Sequence, residues 1–149
     1  MKLNVYVAVI AFLGILLLAL AINLLKKEPP KQKKTVYIND NKLQVEIARS
    51  NLEKAKGLSG RTNLEKNEGM LFVYQASAKP SFWMKGMVIP LDFIWISQNK
   101  VVEISKDISA QNLPFPKTIS PNQKIDMVLE VAAGTTDDLK ISVGDKVSF

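Results

Sequence analysis

The chain has 149 residues, of which 20 are basic and 14 acidic, for a net charge of +6, and it contains neither cysteine nor histidine. Disulfides, cysteine-held zinc, thiol nucleophiles and histidine-dependent triads are therefore excluded, and a metal would need an all-oxygen ligand set. Nothing in the sequence asks for a cofactor. The charge is unevenly spread: five lysines and one glutamate fall in Lys26–Lys34, while Thr35–Phe149 holds 14 basic and 13 acidic residues. A nucleic-acid binder would carry its basic patch on the domain, so no nucleic-acid partner is expected.

Val5–Leu25 is nearly unbroken apolar sequence over 21 residues. As a helix it would run roughly 31 Å, enough to cross a bilayer. A soluble domain this small has no place to hide a helix apolar on all sides, so residues 1–25 are expected to be a membrane anchor. A signal peptide cleaved near Ala21, after Ala19-Leu20-Ala21, is the alternative. Orientation is contested. The lysines after the segment favour a cytoplasmic domain by the positive-inside rule, whereas Lys2, the α-amino group and the export-like Ala-Leu-Ala run favour an extracytoplasmic one, which is the expectation adopted. Lys26–Lys34, with Pro29-Pro30, is expected to be an extended basic linker that also attracts anionic lipid head groups.

Residues 35–149 are expected to form one domain. Thr35–Ile38 and Lys42–Ile47, joined by a turn at Asn39-Asp40-Asn41, predict a hairpin, because Leu43, Val45 and Ile47 alternate with polar neighbours. Ser50 and Glu53 fit a capping box, and Gly57 fits a helix stop. Leu58–Glu68 is polar loop containing Arg61. Met70–Tyr74, Phe82–Met84 and Leu91–Ile96 are short apolar runs rich in aromatic and branched residues, which predicts three strands. Val101–Ile104 follows as another strand after a turn at 97–100. Ser105–Gln123 holds three prolines and no periodicity, and is expected to be a long loop. Met127–Val131 is a strand broken at Gly134, Thr135–Lys140 one or two helical turns, and Val143–Val147 a turn into a last short strand. The fold expected is mainly β (α+β): short, mostly antiparallel strands in a barrel- or sandwich-like sheet with two short helices, behind an N-terminal transmembrane helix.

Particular residues carry a family likeness. Lys56-Gly57-Leu58, Arg61, Glu68–Val73, Phe82-Trp83-Met84-Lys85, Ile89-Pro90-Leu91-Asp92, Val128–Val131, Gly134 and Gly144-Asp145 together resemble the DUF192 family of prokaryotic proteins. The likeness covers essentially everything after the linker. Ser59-Gly60 departs from it, standing where many members carry a methionine and a bulky residue. The resemblance implies a compact β-rich domain, often exported or tethered behind an N-terminal signal or anchor. It implies no activity and no catalytic residues.

Two readings of the charged residues compete. In one, Arg61, Lys85, Asp92 and Glu130 form a structural ion-pair network with both tryptophans in the core. In the other, Arg61, Trp83, Lys85, Asp92 and Glu130 surround a pocket for a polar or anionic ligand. The structural reading carries more weight on these residues alone, since ion-pair networks imitate sites. Of functions, a small-molecule or envelope-ligand binding or interaction module ranks first. A hydrolase using carboxylates from Asp92, Glu130 or Asp145 ranks second, and a purely structural envelope protein third. Ser81 and Lys85 share a strand face only by the period of two.

Overall fold

The computed structural model describes residues 2–25, 33–110 and 118–149, with side chains omitted at 2–5, 8 and 21–25. Two units separate, one before and one after the junction of Lys31 and Gln32. In the first, Lys2–Leu25 forms the helix α1. Its described side chains are exposed apolar groups on every side, among them Ile10, Phe12, Ile15 and Leu17. Among the described residues, no helix is long and apolar enough to cross a membrane. The linker proposed at Lys26–Lys34 lies outside the described residues except for its last two.

In the second unit, Lys34–Ile38 (β1) and Asn41–Ala48 (β2) pair antiparallel with Ile38 opposite Asn41. The alternation of β2 sends Leu43 and Val45 into one core and leaves Glu46 and Ala48 on the other face. Asn51–Lys56 (α2) starts where expected. The Ser50 hydroxyl accepts from the Glu53 backbone N–H, and the Glu53 carboxylate accepts from the Ser50 N–H at 2.9 Å. Glu68–Ala78 (β3) then runs parallel to β2, Glu46 opposite Met70. The sheet is mostly antiparallel, as expected, and this one parallel pairing among its described strands makes it mixed. A parallel pair needs a crossover, and α2 with the following loop supplies it.

Phe82–Trp83 (β4) is short. Leu91–Ser97 (β5) and Lys100–Ile108 (β6) make a hairpin whose two turn residues, Gln98 and Asn99, both have positive φ. Such a turn matches the twist of the flanking strands. Thr118–Ile119 (β7) pairs with β4, and Ile125–Ala132 (β8) lies between β3 and β5. The loop expected over 105–123 is therefore shorter. β6 continues to Ile108 because Ser105 still pairs with Phe93, and 111–117 lie outside the described residues. Thr135–Asp138 (α3) and Val147–Ser148 (β9) finish the chain.

The main sheet has the order β6-β5-β8-β3-β2-β1-β9. It curls into a half-barrel, and residues 144–148 bridge its two edges. Val147 pairs with Ile38 of β1, while the Val101 N–H donates to the Asp145 carbonyl at 2.9 Å. Inside lie Val36, Leu43, Leu71, Ile94, Ile96 and Leu129. The outer face carries a second core: Phe72, Phe93, Trp95 and Val128, covered by Leu58, Met84, Met87 and the β4–β7 pair. β5 is thus buried on both faces, which explains its run of apolar residues.

Candidate functional site

On the outer face, next to the second core, lies a cleft of about 260 Å³ between α2, the loop after it, and the β4 turn. Its floor is Glu130. The register sets Glu130 of β8 between Met70 of β3 and Phe93 of β5, so the carboxyl group stands among apolar neighbours. It is only 6 % exposed, and among the described residues it has no ion-pair partner. Loss of hydration pushes its pKa up to about 8, because burial disfavours the charged form. At neutral pH the group is predominantly a carboxylic acid, able to donate as well as accept a hydrogen bond.

The walls are Phe72, Tyr74, Phe82, Met87 and Leu91. Phe82 is fixed by edge contacts, its ring centroid 5.0 Å from Phe72 and 5.6 Å from both Phe93 and Trp95. Burial, with the Glu130 charge as a lesser cause, raises the Tyr74 hydroxyl to about 12, so it remains a neutral phenol. Lysines stand at the rim. Lys54 and Lys56 come from α2, Lys85 from the turn after β4, and the Lys54 Nζ lies 4.2 Å above the Tyr74 ring. Trp83, 54 % exposed, stands beside them.

Local backbone demands build this rim. Gly57 ends α2 by donating its N–H to the Glu53 carbonyl at 2.9 Å, and a side chain there would stand 3.5 Å from the Phe72 ring. Across the cleft, Gly86 has φ +73, and a Cβ there would come within 2.3 Å of the Ser59 Oγ. The Gly60 N–H donates to the Gly86 carbonyl at 2.9 Å, tying the two loops together.

Of the five residues singled out in the sequence, Trp83, Lys85 and Glu130 line this cleft, while Arg61 and Asp92 do not. Arg61 pairs with the buried Glu46 of β2. Glu46, Met70 and Glu130 form one cross-strand row on the outer face, so Arg61 is engaged two strands away. Asp92 is fully buried on the opposite face. Its carboxylate accepts from the Asp107 N–H at 2.9 Å, the Thr136 N–H at 3.1 Å and the Thr136 hydroxyl at 2.8 Å. Arg61 and Lys85 were its candidate partners, and neither is. Backbone donors at the start of α3 and at the β6 bend replace them. The expected four-residue ion-pair network does not assemble, because alternation along the strands divides its members between two faces. The tryptophans divide likewise, Trp95 into the core and Trp83 to the surface. Asp92 and Glu130 form no carboxylate pair, and Asp145 instead accepts from the Ser142 N–H in the turn before β9. No group of acidic residues among those described could hold a metal ion.

Lys54, Phe72 and Tyr74 were not anticipated. Phe72 and Tyr74 sit two apart and so share a strand face, a signal present in the sequence. Only the pairing of β3 with β8 aims that face at Glu130.

Residues 34–149 match the family DUF192, described as an uncharacterized ACR. The chain belongs to that family. Two solved structures share the DUF192 fold seen here. One, from Sinorhizobium meliloti and described as a putative transcription regulator, is 26 % identical with a TM-score of 0.74, covering 81 % of this chain and 96 % of its own. The other, a protein of unknown function from Novosphingobium aromaticivorans, is 30 % identical with a TM-score of 0.73, covering 83 % and 89 %. No curated protein matches the chain.

Proposed function

We propose that this DUF192 chain is a ligand-binding module of the cell envelope, tethered by the segment Val5–Leu25 with its domain on the extracytoplasmic side. The observation that carries the binding reading is the cleft over Glu130: aromatic walls held by ring contacts, a buried acid on the floor and lysines at the rim. Concave, mostly apolar sites with a few convergent polar groups are where small molecules bind. Hydrolysis by paired carboxylates is disfavoured, since Asp92 and Glu130 stand on opposite faces of the sheet. The description of the Sinorhizobium meliloti structure would suggest a role on DNA. Against that stands the near balance of 14 basic and 13 acidic residues in Thr35–Phe149.

The tether reading is supported by the apolar run Val5–Leu25 and by exposed apolar side chains around α1. Contact of Lys26–Lys34 with anionic lipid head groups belongs to the same reading. A small-molecule screen read by Trp83 fluorescence tests the binding function. A hit whose signal is lost in Trp83→Phe supports it; a broad screen without any saturable hit refutes it. Protease added to intact spheroplasts tests the orientation. Digestion only after permeabilisation would place the domain in the cytoplasm.

A further inference from the structure

The cleft has a chemical bias that narrows its ligand. Lys54 and Lys85 stand at the rim, and among the described residues neither has an ion-pair partner. The single acidic residue lining the cleft is Glu130, which burial keeps predominantly uncharged at neutral pH and so opposes these cations little. The mouth is therefore positive and the interior apolar. The interior is also aromatic, with Phe72, Phe82 and Tyr74 inside and the exposed indole of Trp83 at the entrance. Rings favour offset-stacked or edge-on contact with other rings. Size agrees: about 150 Å³ holds a benzene molecule, so a cleft of about 260 Å³ leaves room for a charged substituent.

We propose that the cleft binds small molecules that join an aromatic ring to an anionic group such as a phosphate or carboxylate. The ring lies between Trp83 and the Phe72–Phe82 wall, the anion meets Lys54 and Lys85, and Glu130 hydrogen-bonds to a polar atom of the ligand at the floor. This rests on the binding function proposed above and gives it a ligand class.

The test uses the full chain in nanodiscs of uncharged phosphatidylcholine, in phosphate-free buffer, with Trp fluorescence as the readout. The probes are phenyl phosphate, phenol, inorganic phosphate and glycerol 3-phosphate, the last standing for an anionic lipid head group without a ring. Phenyl phosphate is expected to saturate the signal, with the other three weaker by about tenfold or more. The double substitution Lys54→Ala, Lys85→Ala is expected to weaken it by about tenfold or more, since hydrogen bonds to charged groups are of that size. Unchanged circular dichroism would confirm that the variant folds. Phenol binding as tightly as phenyl phosphate, or no effect of the double substitution, would overturn the anionic part. Inorganic or glycerol phosphate binding as tightly would overturn the aromatic part. In each of those cases the cleft still binds and the broader function stands. Failure of phenyl phosphate alone overturns the ligand class, whereas failure of every compound in the general screen overturns the binding function as well.

Discussion

Replacing Glu130 with glutamine should stabilise the domain, and increasingly so as pH rises. Glu130 ionises near 4.5 in an unfolded chain and near 8 in the fold, because burial disfavours its charge. Between those values the unfolded state releases a proton that the native state keeps, so stability falls with rising pH. The contribution of the protonated group is intact below pH 4.5 and is lost progressively up to about pH 8. Each pH unit costs about 1.4 kcal/mol, so the full loss is on the order of 5 kcal/mol. Glutamine keeps the volume and never ionises. Urea unfolding of both proteins, on a chain lacking residues 1–31, should give similar stabilities at pH 4.5 and a gap of several kcal/mol at pH 8. Comparing the pair at each pH removes the other carboxylates, which titrate in both. A gap that stays constant from pH 4.5 to 8 would show that Glu130 is ionised in the fold and that the acid floor of the cleft is wrong.

Asp92→Ala should cost about 3 kcal/mol or more, because it strands the buried N–H and hydroxyl of Thr136 and the part-buried N–H of Asp107; a thermal melt within a degree of wild type would contradict this. Gly86→Ala should destabilise by about 1–3 kcal/mol, through its positive φ and the contact with Ser59, and a melt unchanged from wild type would show that the loops give way freely. Ser50→Ala should cost about 1 kcal/mol through loss of the α2 cap, measured by denaturant midpoint. A chain without residues 1–31 should be soluble, folded and monomeric, since Lys33 still pairs with Glu68 and Lys34 with Val45; aggregation or absent near-ultraviolet dichroism would argue against the boundary.

The sequence by itself determined the local structure. The alternation in β2, the Ser50–Glu53 box, the Gly57 stop and the breaks at Gln98-Asn99 and Gly134 depend on neighbours a few residues away, and each stands where those neighbours place it. Trp83, Lys85 and Glu130 were legible as candidates for a similar reason, as polar or aromatic departures within apolar strand patterns. Tertiary structure alone decided which candidates meet. The parallel pairing of β2 with β3 and the insertion of β8 between β3 and β5 are contacts between distant segments, and no local pattern encodes them. Those pairings put Glu130 on the outer face beneath Phe72 and Tyr74, and put Asp92, one register position away, on the inner face against α3. A shift of one residue reverses the face of a strand side chain. The sequence could therefore name some members of the site, but only the register could separate the acid of the cleft from the acid that anchors the helix.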